Sequence, residues 1–77
     1  MEICIRYFGV LAEKTGCHEE LFGPANGRVS DVLEALLKKY PQLEKESFRV
    51  AQNKSIVERS MELSGEEIAL LPPFSGG

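Results

Sequence analysis

The residues best suited to chemistry in this sequence form its last stretch, residues 72–77, which reads Pro-Pro-Phe-Ser-Gly-Gly and follows an apolar run. Proline fixes φ and has no N–H, so two prolines in a row end a sheet ladder and favour a stiff, extended path. Glycine has no Cβ, so Gly76 and Gly77 can pass where no side chain would fit. Fully extended, the stretch reaches roughly 20 Å. The pattern predicts a stem that carries the carboxylate of Gly77 into another protein's narrow active site; an unstructured chain end is the alternative.

Elsewhere the sequence offers no constellation of catalytic side chains. Ser75 has no His or Lys nearby in sequence to activate it, and the lone His18 is expected at the surface. The spacing of Cys4 and Cys17 matches no zinc or redox motif, which predicts a buried Cys4 in a strand, an incidental Cys17 and no metal site. A domain this small has little room for a catalytic pocket. The reactive group is therefore expected to be the carboxylate of Gly77, and the chain is not expected to be an enzyme on its own.

Composition narrows the class of protein and its partners. The chain has 77 residues, of which 43% are hydrophobic and 27% charged, values typical of one globular domain. Its net charge is −3 and its basic residues are scattered, which argues against nucleic acid as the main partner. No apolar run approaches the roughly 18 residues of a membrane span, and the first residues lack a secretory signal. We therefore expect a cytoplasmic protein that binds neither nucleic acid nor membrane.

The first third of the chain predicts two strands around a short helix. Residues 2–8 place Ile3, Ile5 and Tyr7 on one face by period-two alternation, which is typical of a strand. Residues 10–15 suit a short helix that Gly16 ends. Residues 17–22 then favour a return strand, because the Gly-Pro pair that follows is a breaker.

The middle of the chain carries the clearest local pattern. Ser30 is a plausible N-cap, and the acidic Asp31 suits the positive end of the helix dipole. A helix that Pro41 closes is predicted from here, and Leu43 in the polar connection after it can pack back onto the core. The apolar side chains of this helix recur at helical spacing and are expected to face the core; they are Val32, Leu33, Leu36, Leu37 and Tyr40.

The last third predicts three strands. Residues 48–52 and 55–57 favour a hairpin around Asn53-Lys54, since Asn tolerates the positive φ that a tight turn requires. Residues 67–71 form an apolar last strand, for which a central position beside the first strand is expected. One amphipathic helix facing a small mixed sheet gives a two-layer α+β domain. The predicted division is a folded domain at 1–71 and an extended tail at 72–77.

The carboxyl-terminal segment 64–77 resembles the small subunit of molybdopterin synthase, in which a Gly-containing acidic turn, an apolar strand and Pro-Pro precede a final Gly-Gly. Phe8, the segment 11–13 and Gly16 are similar to that family's first strand and short helix, and 51–57 to its hairpin. The chain departs from the family in its polar Gln52 and in lacking an arginine often found in the first helix. The resemblance implies a β-grasp, ubiquitin-like fold.

The resemblance also implies a function. In that family an adenylating, E1-like activating enzyme uses ATP to convert the terminal carboxylate to an acyl-adenylate and then a thiocarboxylate, so the carrier itself binds no cofactor. The tail then enters the large subunit, where its sulfur is transferred to cyclic pyranopterin monophosphate in a complex that is typically a heterotetramer. By this resemblance Gly77 and Gly76 are the reacting end, and a side chain at either position would collide with the active-site walls.

Partner binding is expected from residues around the base of the tail. An aromatic side chain at such a position is a good anchor for a partner's pocket. The candidate contact residues are Phe8, Leu71, Pro73, Phe74 and Ser75. For Phe8 and Leu71 an ordinary core position is the alternative. Arg6, Lys54 and Arg59 are candidates for a charged rim, although the sequence does not group them.

Three other functions are compatible with the same sequence features. One is a sulfur carrier of another pathway, of the thiamine or cysteine type, and a second is a ubiquitin-like modifier joined through Gly77 to lysines of target proteins. A third is a passive interaction domain whose tail does no chemistry. The Pro-Pro stem and the segment 11–16 favour the pterin pathway among the carriers.

Overall fold

The computed structural model describes residues 2–25 and 27–72, which contain five strands, two α-helices and a 3-10 helix. In chain order these elements are β1 (Ile3–Tyr7), α1 (Val10–Thr15), β2 (Glu19–Phe22), α2 (Val29–Lys39), the 3-10 helix (Pro41–Lys45), β3 (Arg49–Gln52), β4 (Ser55–Ile56) and β5 (Ile68–Leu71). The predicted order of strands and helices is confirmed, and the predicted strands are each shortened by one or two residues. None of the helices in these described ranges is long and apolar enough to cross a membrane.

The sheet is mixed, with the strand order β2-β1-β5-β3-β4. The first and last strands lie side by side and parallel at its centre, and the other neighbouring pairs are antiparallel. The central position predicted for the last strand is therefore confirmed. Because β1 and β5 run in the same direction, the chain leaves the sheet at the same end as the carboxyl end of β1.

Helix α2 covers one face of this sheet with the apolar stripe expected from its sequence. Val32, Leu33 and Leu36 are almost completely buried, and Leu37 and Tyr40 pack against the core from its margin. The inward residues of the central strands complete the core, as period-two alternation requires. They are Ile3, Ile5 and Tyr7 of β1, Val50 of β3, and Ile68 and Leu70 of β5.

The start of α2 differs from the expectation. The helix begins at Val29, so Ser30 lies inside its first turn and is not the N-cap. The N–H groups of Val29 and Ser30 donate instead to the carbonyls of Met61 and Arg59, at 2.9 and 2.8 Å. Asp31 accepts a hydrogen bond of 2.8 Å from the N–H of Arg28, which stabilises the same end. Backbone carbonyls from a distant loop therefore satisfy two of the N–H groups that the first turn of the helix leaves without an intrahelical partner.

The connection after α2 is more ordered than its polar composition indicates. Pro41 closes the α-helix as expected but also begins the 3-10 helix, where a missing N–H is harmless. Leu43, in the middle of this turn, is fully buried. The β3–β4 hairpin follows the prediction, since Asn53 and Lys54 have φ values of 53° and 68°, as the tight turn requires.

Gln52 is the polar residue at which the sequence departs from the resembled family, and the fold gives it a structural role. It is only 6% exposed. Its amide nitrogen donates to the carbonyl of Glu62 at 3.1 Å, and its amide oxygen accepts from the N–H of Ser64 at 3.0 Å. Both halves of the buried amide are therefore satisfied, and the pair of bonds fixes the loop that leads into β5.

A second polar group lies on the helix-covered face, where β2 meets the end of α2. The Glu20 carboxylate accepts from Tyr7 Oη at 2.5 Å, Tyr40 Oη at 2.7 Å and Lys39 Nζ at 2.6 Å. We call these four residues the Glu20 cluster. Burial, followed by the bond to Glu20, raises the pKa of Tyr7 and of Tyr40. Burial alone would raise the pKa of Glu20, but the three hydrogen bonds outweigh it and hold that pKa below its usual range.

Candidate functional site

The candidate site begins where the chain leaves the sheet. The N–H of Phe8 donates to the carbonyl of Leu70 at 3.2 Å, which ties the end of β1 to the end of β5. One residue further on, Gly9 has φ 59° and ψ −135°, a conformation that favours glycine. A Cβ at Gly9 would stand 2.9 Å from Cγ of Pro72. The Pro72 ring, at the last described residue, therefore packs directly on the backbone at Gly9.

The open face of the sheet, opposite α2, carries an apolar surface beside this exit. Cross-strand partners share a face, and the register aligns Ala69 with Ala51, and Ala51 with Ile56. Phe8 and Leu71 alternate with the inward Tyr7 and Leu70, so they also point outward. We call this surface the docking patch; it consists of Phe8, Ala51, Ile56, Ala69 and Leu71.

Exposure distinguishes the docking patch from the core. Phe8 is 40% exposed and Ile56 is 56% exposed, whereas Ala51 is buried between its neighbours. Leu71 is half-buried. Large apolar side chains that are exposed beside the point where the chain leaves the sheet are typical of a protein-binding surface rather than of a core. Of the two alternatives for Phe8 and Leu71, the outward position is the one observed.

A group of charges crosses the same face next to the patch. Nε of Arg6 lies 3.6 Å from Oε1 of Glu19, and its Nη1 lies 3.5 Å from Oε2 of Glu67. The guanidinium carbon of Arg6 also lies 5.7 Å from the centre of the Phe8 ring. We call Arg6, Glu19 and Glu67 the Arg6 cluster. Each ion pair is partly exposed and therefore contributes little to stability alone.

Cys4 lies on this open face and not in the core. It was expected to be buried in a strand; its strand is β1 as predicted, but the side chain is only half-buried, because residue 4 alternates with the inward Ile3 and Ile5. Burial is the main cause that raises the pKa of its thiol, and the nearby carboxylates of Glu19 and Glu67 add to it. A raised pKa keeps the thiol protonated and makes Cys4 a poor nucleophile.

A surface depression of about 450 Å³ lies on the other side of the exit. Its lining residues are Gly9, Ala12, Glu13, Gly16, Cys17 and His18. His18 is exposed, as expected, whereas the Cys17 sulfur lies 3.8 Å from Thr15 Oγ1 and 3.9 Å from Tyr40 Oη. Within residues 2–25 and 27–72, no group of His, Cys, Asp and Glu side chains is placed to hold a metal ion.

The predicted site residues thus divide into two groups. Phe8 and Leu71 meet on the docking patch next to the exit. Pro73, Phe74, Ser75, Gly76 and Gly77 lie outside the described residues. Of the proposed charged rim, Arg6 joins the Arg6 cluster, Arg59 stacks 5.5 Å from the Phe48 ring, and Lys54 lies in the β3–β4 turn. Arg6 and Arg59 therefore contact different partners.

Sequence reasoning missed three members of the patch: Ala51, Ile56 and Ala69. Ile56 carried a usable signal, because an isoleucine in a strand of two residues at a sheet edge has few core positions to occupy. The two alanines carried none, since a small residue fits either face of a strand. Their contribution depends entirely on the register that brings them between Arg6 and Ile56.

The chain matches a family model and several solved structures. The model of the ThiS family matches residues 5–77. SAMP1 from Haloferax volcanii is 27% identical with a TM-score of 0.83, and the match covers 100% of both chains. A Pyrococcus furiosus protein described as a candidate molybdopterin converting factor, subunit 1, is 23% identical with a TM-score of 0.86, over 96% of this chain and 99% of that one.

A third solved structure contains a complex. It is the protein–protein complex of subunits 1 and 2 of molybdopterin-converting factor from Helicobacter pylori, in which the matched chain is 23% identical with a TM-score of 0.70, over 100% of both chains. No curated protein sequence gives a significant match. The mixed sheet with α2 on one face is the β-grasp, ubiquitin-like fold of these neighbours. With the family model covering nearly all its residues, the chain belongs to the ThiS family of small ubiquitin-like sulfur carriers.

Proposed function

We propose that this chain is the sulfur-carrying small subunit of molybdopterin synthase and that its reactive group is the carboxylate of Gly77. The observation that carries the proposal is the placement of the exit. The chain leaves the sheet at Pro72, packed on Gly9, directly beside an exposed apolar patch, and the family match continues through Gly77. A partner that covers the patch thereby receives the residues that follow Pro72.

The chemistry proposed for Gly77 requires two other proteins. A carboxylate is a poor electrophile until one oxygen becomes a good leaving group. In an E1-like activating enzyme, a carboxylate oxygen of Gly77 bonds to the α-phosphorus of ATP and pyrophosphate leaves. A sulfur donor at the oxidation level of sulfide then attacks the acyl carbon, the bond to the phosphate oxygen breaks, AMP leaves, and Gly77 ends in a thiocarboxylate. In the large subunit this sulfur bonds to a carbon of cyclic pyranopterin monophosphate, and water then cleaves the acyl–sulfur bond and returns Gly77 to the carboxylate. The side-chain-free Gly76 and Gly77 suit a narrow site.

The docking patch is proposed as the contact surface for the large subunit. Aromatic and apolar anchors at the centre of an interface contribute most of the binding free energy. Phe8 and Leu71 fill this role beside the exit, and Phe74, Pro73 and Ser75 are proposed to extend the contact along the tail. The Helicobacter pylori complex of subunits 1 and 2 supports a partner of this kind. A heterotetramer with two small subunits remains part of the proposal.

A reconstitution with a matched control tests the proposal. The chain is incubated with the activating enzyme, ATP and a sulfur donor, and its intact mass is measured. It is then repurified and supplied as the sole sulfur source to the large subunit with cyclic pyranopterin monophosphate. We expect exchange of one oxygen for sulfur, followed by molybdopterin formation. A control variant with one alanine added after Gly77 should melt at the same temperature but gain no sulfur; equal loading of that variant would contradict the proposal.

A second candidate function is a protein modifier, which the similarity to SAMP1 favours. That chain matches at 27% identity over its full length, and a second structure from the same genus is described as small archaeal modifier protein 1. In this case an activated Gly77 would form an amide with a lysine of a target protein. The same mass measurement in a cell extract separates the modifier from the sulfur carrier, since a modifier accumulates higher-mass adducts.

A sulfur carrier of the thiamine or cysteine type is separated by the reconstitution. Such a carrier would load with sulfur but fail to support molybdopterin formation.

A further inference from the structure

We infer that Arg6 is a positioning residue that holds the Phe8 ring in place for docking, an inference that rests on the proposed function. Phe8 directly follows β1 on the open face of the sheet and is 40% exposed. A free aromatic side chain at such a position would sample several rotamers, and a partner would have to order it on binding. The guanidinium of Arg6, two residues earlier on the same face, lies 5.7 Å from the ring centre. This distance is within the range of a cation–π contact.

Arg6 can support Phe8 because Arg6 is itself held from two sides. Glu19, on the neighbouring strand β2, lies 3.6 Å from Nε of Arg6, and Glu67, which directly precedes β5, lies 3.5 Å from Nη1. The two carboxylates approach different nitrogens of one planar group, so together they restrict its rotation. Neither pair needs to stabilise the fold for this purpose, since both are partly exposed.

The sheet register makes this arrangement specific to the docking patch. Arg6 is the partner of Glu19 on β2 and of Ala69 on β5, so its side chain starts in the middle of the open face. From there it reaches Phe8 at one margin of the patch. Arg49 offers an internal comparison, because it is aligned with Leu71 on the same open face. Its charge is the same, but the cation–π contact with Phe8 belongs to Arg6.

The first test needs no partner. Aromatic resonances of Phe8 are recorded by NMR in the wild type, in Arg6→Ala and in Arg49→Ala. We expect Arg6→Ala to move and average the Phe8 ring signals and Arg49→Ala to leave them in place. Unchanged Phe8 signals in Arg6→Ala would overturn the inference while leaving the proposed function intact.

The second test is a double-mutant cycle on binding to the large subunit of molybdopterin synthase, measured by calorimetry. Arg6→Ala should weaken binding about fivefold in the wild type, as expected for one ordered cation–π contact, and less than about twofold in Phe8→Ala. The effects of Arg49→Ala and Phe8→Ala on the free energy of binding should be additive. A general electrostatic role would lower affinity equally in both backgrounds, and that result would overturn the inference.

The Arg6→Lys variant separates the positioning role of the Arg6 side chain from its charge. Binding of the wild-type chain separates failure of this inference from failure of the proposed function. Arg6→Lys keeps the charge but loses the planar group that two carboxylates can hold, so affinity should fall nearly as far as in Arg6→Ala. Full affinity in Arg6→Lys would contradict the positioning role. Failure of the wild-type chain to bind the large subunit would overturn the proposed function, and with it the docking role of Arg6.

Discussion

The two faces of the sheet place the core and the proposed docking patch on alternate residues of the same strands. On the helix-covered face, β1 presents Ile3, Ile5 and Tyr7, all at most 2% exposed. On the open face the same strand presents Cys4 and Arg6, and Phe8 follows directly after it; all three are half-buried or exposed. Because side chains alternate with period two, one backbone supports both surfaces without compromise.

The same division occurs in β5 over two adjacent leucines. Leu70 is completely buried under α2, whereas Leu71 is half-buried on the docking patch beside the exit. Polar groups follow the division as well. Both oxygens of the Glu20 carboxylate accept hydrogen bonds and the Glu20 side chain is 16% exposed, whereas the Arg6 side chain is 45% exposed. We therefore expect substitutions on the covered face to lower the free energy of unfolding, and substitutions on the open face to lower the affinity for the proposed partner, the large subunit.

The adjacent leucines provide the largest expected contrast. Leu70→Ala removes a fully buried side chain and should lower the free energy of unfolding by about 3–4 kcal/mol. Leu71→Ala should cost about 1 kcal/mol of stability but weaken large-subunit binding about tenfold. Urea unfolding and calorimetry measure the two quantities. Equal stability losses would show that Leu71 belongs to the core.

Glu20→Gln tests the polar part of the covered face. The carboxylate accepts three hydrogen bonds, so its loss should cost about 2 kcal/mol at neutral pH. Since the folded pKa of Glu20 is lowered, its contribution is present above the unfolded pKa and disappears as pH falls through the folded value. The melting temperature of the wild type should therefore fall more steeply than that of Glu20→Gln as pH falls below about 4.3. Parallel pH profiles would contradict this assignment.

Gly9→Ala tests the contact between Gly9 and Pro72, where the chain leaves the sheet. A side chain at φ 59° is strained, and its Cβ would stand 2.9 Å from Pro72 Cγ. We expect a loss of about 1–2 kcal/mol, together with slower sulfur loading because Pro72 and the residues after it are displaced. Gly16→Ala is the matched control, since its φ of 82° brings comparable strain but no atom lies within 4 Å of the added Cβ. Equal loading rates in the two variants would show that the Pro72 contact does not direct the tail.

Phe8→Ala should have the smallest effect on the fold. Its ring is 40% exposed, so we expect a stability loss below about 1 kcal/mol, or a few degrees in melting temperature. Binding to the large subunit should weaken at least tenfold if Phe8 is an anchor. Met61→Ala is a suitable control, because Met61 is 48% exposed and lies outside the docking patch. A larger change in stability than in affinity would reassign Phe8 to the core.

Some of these assignments follow from local pattern. The alternation of Ile3, Ile5 and Tyr7 predicts the first strand, and helical spacing predicts the face that α2 buries. Asn53 predicts the turn, and its positive φ agrees. In each case the residues that form the pattern lie within or beside the element, so the pattern can be recognised from the sequence alone.

Other features depend on contacts between distant segments. The N–H groups at the start of α2 find their acceptors at Arg59 and Met61, which no cap pattern near Ser30 can reveal. The amide of Gln52 is satisfied by residues that follow it by ten and twelve positions. The Glu20 cluster joins three elements, and its members carry no recurring spacing.

The amino-acid sequence by itself determined the order of the elements, the inward face of each main one and the motif that ends in Gly77, because these depend on periodicity and on the backbone limits of proline and glycine. Only the tertiary structure decided that Phe8, Ile56 and Leu71 share a surface beside the exit and that Arg6 lies against Phe8. Strand register sets those neighbours, and register results from packing the whole covered face at once.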